Sequence, residues 1–272
     1  MTKSVQPLDV GRGEDSPALA AGGPTIARFH NAMLSGKDNF AADRRLAREV
    51  TALAPTLPRL FRHDRRFVAR SVQEMVRRGV TQILDLGCGL PTHDNTHEIA
   101  QRFDPQTRVV YVDHDPTVVA HGRAILASDP RAAVVGADIR APATVLGTDG
   151  THRLLDLSRP VGVLLTSVLH HIPVEDDPHG IVRSYMEALP SGSMLALSHF
   201  HAPEGDGPRG GQAARVERAL LAALGSGWFR SRPAIEAFFD GLELDEHGVR
   251  PLFPWHPGRT ASLALCGLAH RP

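Results

Sequence analysis

The chain has little with which to cross-link itself or to enter a membrane. It carries only two cysteines, Cys88 and Cys266, among 272 residues, so a disulfide framework is excluded and a cytoplasmic setting is the default expectation. No apolar run approaches the roughly 20 residues of a membrane-spanning helix. The start, Met1-Thr-Lys-Ser-Val-Gln-Pro, has no apolar signal-peptide core. Net charge is absent too: 30 Lys and Arg balance 30 Asp and Glu. The balance hides an asymmetry, because residues 1–80 hold 14 basic against 8 acidic residues (+6) and residues 81–272 hold 16 against 22 (−6). Ten arginines fall between Arg44 and Arg78. Without a recognisable module of interleaved aromatics, they read as solvated helix faces, and a nucleic-acid partner is disfavoured. What is present is a hydrophobic content of 42%, ordinary for a globular protein and enough for a sizeable core.

Along the chain, residues 1–24 are rich in Gly, Pro, Ala and charge without periodicity, and are expected to be mobile. Residues 25–79 read as a helical segment. Leu60, Phe61, Asp64, Phe67, Val68, Val72, Met75 and Val76 recur at three- and four-residue steps, with Asp64 alone polar on that face. Asp38-Asn39 before Phe40 offers a helix N-cap. From residue 80 to 272 the rhythm becomes strand, helix, strand. Strands are expected at Ile83–Leu86, Arg108–Val112, Ala133–Ala137, Val161–Thr166 and Ser193–Ser198, with Asp115-Pro116 and Asp177-Pro178 each starting a helix. Such continuous apolar strands, alternating with helices, imply an α/β fold with a mostly parallel sheet covered on both faces. At the end, 242–252 and 260–269 read as two consecutive strands without a helix between them, which requires a hairpin and an antiparallel edge.

The chemistry concentrates in residues 83–95, Ile-Leu-Asp-Leu-Gly-Cys-Gly-Leu-Pro-Thr-His-Asp-Asn. Gly87 and Gly89 permit a tight turn before a helix, where a ligand can approach main-chain N–H groups. A dinucleotide fingerprint would place a third glycine where Thr92 stands, after Pro91, so a nicotinamide-dependent oxidoreductase is disfavoured. Asp85 either faces the amino-acid part of S-adenosylmethionine or merely caps the turn. Asp113, at the end of the second strand, suits a ribose diol, while Asp115 caps the next helix. Asp138 follows the third strand and can accept from an adenine amine, with Ile139 against the ring. Three acids at the carboxyl ends of successive strands stand where open α/β sheets bind ligands.

These residues resemble a known family. Asp-Leu-Gly-Cys-Gly, Val-Tyr-Val-Asp-His-Asp-Pro, Gly-Ala-Asp-Ile-Arg and Leu-Leu-Thr-Ser-Val-Leu-His-His resemble the Rossmann-like class I methyltransferases that use S-adenosyl-L-methionine. Gly36-Lys-Asp-Asn-Phe, Gly89-Leu-Pro-Thr, Asn95-Thr-His-Glu and Leu157-Ser-Arg-Pro are similar to one bacterial family of that fold, called simply S-adenosyl methyltransferase, which has no assigned substrate. The resemblance covers about residues 25–270. It implies a seven-stranded sheet whose last strand is antiparallel, and a helical N-terminal cap over the cofactor, so that Lys37, Asp38 and Asn39 line the pocket unless they serve as a helix cap and surface lysine. His114 and Thr166 join the expected cofactor site, with Cys88 as a small side chain beside it.

For catalysis, His170 and His171 follow the fourth strand, where the methyl group would emerge, and either could take a proton from a hydroxyl or amine acceptor. His170 ranks first because it comes first after the strand; the alternative is that one packs and the other starts a loop. Thr166 and Ser167 shape the pocket. His93 and His97 have an i, i+4 zinc spacing but no third ligand, so no metal is expected. Cys266 reads as core, and Trp255 as either a pocket wall or loop packing. The expected activity is methyl transfer to a small-molecule acceptor, the alternative being a non-catalytic cofactor-binding or nucleic-acid-binding regulator.

Overall fold

The computed structural model describes residues 22–92, 94–126, 129–203, 208–252 and 262–272. The expected mobility of residues 1–24 therefore falls mainly outside the described residues, as do Trp255 and His93. Three helices come first: α1 (Ile26–Met33), α2 (Ala41–Leu53) and α3 (Leu57–Arg77). The stripe read from the sequence forms the buried face of α3, with Leu60, Phe61, Phe67, Val72 and Met75 inside and Asp64 among them. Gly79, at φ 82°, ends this helix as glycine does in a left-handed C-terminal cap.

Five parallel strands follow: β1 (Gln82–Leu86), β2 (Arg108–Asp113), β3 (Ala132–Gly136), β4 (Gly162–Thr166) and β5 (Met194–Phe200). Between them run α4 (Thr96–Gln101), α5 (Pro116–Leu126), α6 (Pro142–Leu146), α7 (Asp149–Leu154) and α8 (Pro178–Glu187). The short helices α6 and α7 have no apolar stripe long enough to be read from sequence. Then come α9 (Pro208–Leu224) and α10 (Arg232–Glu236), two short strands β6 (Glu243–Leu244) and β7 (Arg250–Pro251), and β8 (Ala264–His270).

The sheet order is β3-β2-β1-β4-β5-β8-β6, with β7 also on β8. The expected seven-position, mostly parallel sheet is present, and its last strand is antiparallel to β5. Two details differ from the sequence reading. The antiparallel strand is not an edge, because it lies between β5 and β6. The strand expected over 242–252 is broken in two by a turn in which the Asp245 side chain accepts from His247 N at 3.0 Å and Gly248 adopts φ 57°. That polar turn competes with the sheet ladder for its backbone groups.

Alternation along the strands sends Ile83, Val109 and Tyr111 to one core layer and Leu84, Leu86, Val110 and Val112 to the other. The first layer also holds Phe29, Val50, Phe67 and Met75, so the N-terminal helices share a core with the sheet. Arg44, Arg45, Arg48, Arg62, Arg66 and Arg70 are exposed on the outside of this layer.

Candidate active site

The carboxyl ends of the parallel strands open on a cavity of about 600 Å³, within the size range of small-molecule sites. Its floor is the turn after β1. Gly87 N and Cys88 N both donate to Val112 O, at 2.8 and 3.2 Å, which folds the turn onto the end of β2. Gly87 and Gly89 adopt φ of 70° and 64°, a region open at little cost only to glycine. A Cβ on Gly87 would meet Val168 Cγ2 at 2.3 Å, whereas one on Gly89 would meet nothing within 4 Å. Cys88 lines the cavity, and burial pushes its thiol well above the ordinary range. It is a small neutral side chain at neutral pH.

The three expected acids all reach this cavity. Asp85 is buried and accepts from Thr96 Oγ1 at 2.7 Å. Burial pushes its carboxyl up, while Thr96 and Arg65 pull it back. Asp113 accepts Gly89 N on Oδ2 and Asp115 N on Oδ1, each at 2.9 Å. A carboxylate offers about four lone-pair sites, so roughly two stay open for hydroxyl donors. Asp115 accepts from Thr117 N at 2.8 Å and opens α5, as expected. Asp138 is held by Arg140, whose backbone N, Nε and Nη2 all donate to it, while Arg140 Nη1 reaches Asp176 at 2.8 Å. These three donor hydrogens leave about one lone-pair site on Asp138, and the Arg140 bonds hold its carboxyl below the usual range. His114, Ile139 and Thr166 also line the cavity.

The N-terminal segment contributes other residues than the sequence suggested. Lys37 is exposed, and neither it, Asp38 nor Asn39 lines the cavity. Asn39 is buried and donates to Asn31 Oδ1 and Gly36 O, both at 2.8 Å, while Arg44 Nη1 donates back to Asn39 Oδ1 at 3.0 Å. Nor do Asp38-Asn39 cap α2: Phe40 stands at its N-cap, and Phe40 N donates to Asp43 Oδ2 at 2.8 Å. Asp43 also accepts Arg28 Nε and Thr25 N, at 3.0 and 3.1 Å. Through Asn39 the Gly36–Phe40 signature thus joins a polar network that ties α1 to α2. What α1 and its approach present to the cavity is Pro24–Ala27 and His30.

The two histidines after β4 part company. A 3-10 turn, Leu169–His171, sends neighbouring side chains in different directions. His171 lines the cavity, its Nδ1 lying 2.8 Å from Ser226 Oγ. His170 packs behind it, stacked on Phe200 at 3.7 Å between centroids, with no partner for Nδ1 among the described residues. The expected order of the two is therefore reversed by the turn. Arg230 pins this turn by donating to Leu169 O and Ile172 O, at 2.9 and 2.7 Å.

Burial holds His30 down to about 4 and His171 to about 3, with the Arg65 charge adding to the effect at His30. Both rings face the cavity uncharged at neutral pH. In an NMR titration, their ring C–H shifts should stay at neutral-imidazole values from pH 8 to pH 5, where an ordinary imidazole of pKa about 6.5 would be almost wholly protonated. A midpoint near 6.5 for His171 would contradict the burial argument.

Sequence reasoning missed Asp64, His30, Arg65 and Ser226 as cavity residues. The one available signal was Asp64, a lone acid on an apolar helix stripe. Among the other expectations, Cys266 is buried in β8, and His97 Nδ1 lies 2.8 Å from Tyr111 Oη. Among the described residues, no group of three or more His, Cys, Asp or Glu is placed to hold a metal ion. None of their helices is long and apolar enough to cross a membrane.

A family model described as S-adenosyl methyltransferase matches residues 12–269. Among solved structures, the chain is similar to a candidate methyltransferase of Thermobifida fusca, with 37% identity, a TM-score of 0.86, and coverage of 94% of this chain and 97% of that one. It is also similar to a DUF574 family protein of Streptomyces avermitilis, at 36% identity and TM-score 0.84, covering 92% and 98% of the two chains. An O-methyltransferase family protein of Burkholderia thailandensis, at 14% identity and TM-score 0.54 over 85% of this chain and 60% of that one, shares the fold. No curated protein matches.

Proposed function

We propose, from the premise that this chain belongs to the S-adenosyl methyltransferase family and is an S-adenosylmethionine-dependent methyltransferase, that the strand-end cavity holds the cofactor and a small-molecule acceptor side by side. The observation that carries this reading is the row of Asp85, Asp113 and Asp138, each at the carboxyl end of a successive strand, on one cavity of about 600 Å³. The residues suit the cofactor's chemistry. The open side of Gly89 and the crowded side of Gly87 leave a backbone floor, Asp113 retains acceptor sites for a ribose diol, and Asp138 retains one for an adenine amine beside Ile139. Asp85 offers a buried negative charge to an amino-acid ammonium.

When bound, S-adenosylmethionine supplies an electrophilic methyl group on a sulfonium. The chain's own part is positioning and the exclusion of water. Ile26, Ala27, Val168, Ile172 and Leu224 wall the acceptor half with apolar groups. His171, tied to Ser226, presents a neutral ring there. A ring that must be protonated at about 3 is a weak base at neutral pH, so its role is to orient the acceptor by a hydrogen bond. His170, behind it, supports that ring.

Titration calorimetry with S-adenosylmethionine, S-adenosylhomocysteine and NAD tests the assignment. The two sulfur compounds are expected to bind and NAD is not. Tight NAD binding with no heat from either sulfur compound would sink it.

A further inference from the structure

The cavity contains a buried carboxylate for which cofactor binding, as read above, has no use. Asp64 sits on the buried stripe of α3, 3% exposed, and lines the cavity. Among the described residues no cation forms an ion pair with its carboxylate. Instead Ser198 Oγ donates to Oδ1 at 2.6 Å and Ser167 Oγ donates to Oδ2 at 2.9 Å. Arg65, the next residue on the helix, directs Nη2 to Asp94 O at 2.8 Å. A buried carboxylate without a counter-ion is costly. An apolar residue at this position of the stripe would fasten α3 to the sheet without that cost.

Ser167 is unusual in its own right. It follows β4 directly and has φ 53°, a left-handed conformation that costs a non-glycine residue on the order of 1–3 kcal/mol. The conformation is enforced from β5, where Ser198 O and Ser198 Oγ both accept from Ser167 N, at 3.2 and 2.9 Å. Ser198 therefore fixes the backbone of Ser167 and the carboxylate of Asp64 together. Ser167 itself lines the cavity between Thr166 and Val168.

From this geometry we infer that Ser167 and Asp64 form the proton-accepting end of the acceptor site, built for a neutral hydroxyl or amine compound. The inference rests on the methyl-transfer reading above. Ser167 Oγ gives its own hydrogen bond to Asp64, which leaves its lone pairs to accept from an acceptor O–H or N–H. As the acceptor reacts, its proton passes to Ser167 Oγ while the serine proton passes to Asp64 Oδ2. The acceptor's lone pair forms the bond to the methyl carbon, and the pair of the broken carbon–sulfur bond stays on sulfur. One positive sulfonium and one carboxylate become a neutral thioether and a neutral carboxylic acid, so charge is conserved and consumed within the cavity.

The surroundings favour that proton transfer and select the acceptor. The charge of Arg65, on the same helix, acts on Asp64, and Asp64 acts in turn on Asp85 at the end of β1 and on the Cys266 thiol on β8. Burial pushes the Asp64 carboxyl above the ordinary range, while the two serine hydroxyls and Arg65 pull it back. With His30 and His171 uncharged, no imidazolium offsets the buried Asp64 carboxylate, and Arg65 is the cation that acts on it. An acceptor bearing a carboxylate or phosphate would meet repulsion there, and a neutral phenol, alcohol or amine would not.

The test uses sinefungin, an analogue with a C–NH3+ group in place of the sulfonium methyl, and S-adenosylhomocysteine, which has no group at that position. The ammonium would stand where the methyl is presented to Ser167. Calorimetry on the full chain compares the two affinities in wild type, Asp64→Asn and Ser167→Ala. Asp64→Asn is expected to lower the sinefungin affinity at least tenfold relative to that for S-adenosylhomocysteine, and Ser167→Ala at least threefold. Should Asp64→Asn fail to fold, Ser167→Ala decides by itself. A purely structural role would weaken both ligands equally or neither, and either result overturns the inference. Absence of S-adenosylhomocysteine binding to the wild type would instead strike the methyl-transfer reading.

Discussion

Alanine at position 87 is expected to damage this protein more than any other single methyl group added to the cofactor turn. The new Cβ would lie 2.3 Å from Val168 Cγ2, at a backbone φ of 70°. The conformation alone costs about 1–2 kcal/mol for an L-residue, and forcing a methyl against a packed β-branched side chain adds about 1–3 kcal/mol. Against a total stability of about 5–15 kcal/mol, urea unfolding should show a clear fall in midpoint. Relief of the clash by moving Val168 would drag the turn that carries Ser167 and His171, so S-adenosylhomocysteine binding should fall as well. Gly89→Ala is the internal control. It has a similar φ of 64° but open space around the added Cβ, and should show only the conformational cost. Equal destabilisation by the two substitutions would show that the contact with Val168 does not matter.

The second large effect is expected at Asp113. Its carboxylate holds Gly89 N and Asp115 N in the free protein, and we assign its remaining lone pairs to the ribose. Hydrogen bonds to a charged group are worth about 1.5–3 kcal/mol each. Asp113→Ala should therefore weaken S-adenosylhomocysteine binding by about 100-fold or more, since each 1.4 kcal/mol is a factor of ten. The loss combines missing ribose contacts with a loosened glycine turn. Asp113→Asn separates them in part, because its one amide oxygen can still serve one backbone donor while its NH2 group faces the other. It should lie between wild type and alanine in calorimetry. A folded Asp113→Ala protein that binds within threefold of wild type would refute the ribose assignment.

These two positions were also the most legible from sequence, and for a common reason. A tight turn and a strand-end acid are local devices: the residue type, its place after an apolar run and the backbone demand coincide within a few residues. Asp85, Asp113 and Asp138 could be placed on one edge of the sheet because parallel strands point their carboxyl ends the same way. The cap residues Asp115 and Asp177 were legible for the same local reason, and Asp177 accepts from Gly180 N at 3.0 Å as its position implied.

Reading failed where the outcome depended on which faces meet. The order in which His170 and His171 follow β4 says nothing about which one the 3-10 turn directs into the cavity. Lys37 and Asn39 belong to a signature shared with the family, yet Asn39 spends its amide on Asn31 and Gly36, within the N-terminal segment. A motif can mark a family through its architecture as readily as through its ligand. The strand over 242–252 was read from hydrophobic content, and the local bonds of Asp245 divided it.

By itself the sequence determined the class of fold, the family and the edge of the sheet that carries the three acids, because alternating apolar strands, glycine turns and strand-end acids are short-range patterns. Only the tertiary structure decided the cluster that we assign to the acceptor. Asp64 meets Ser167 across 103 positions of chain and Ser198 across 134. It does so because α3 lays its apolar stripe on the sheet and carries that one acid down to the ends of β4 and β5. No spacing rule connects those three residues; packing of the helix on the sheet does.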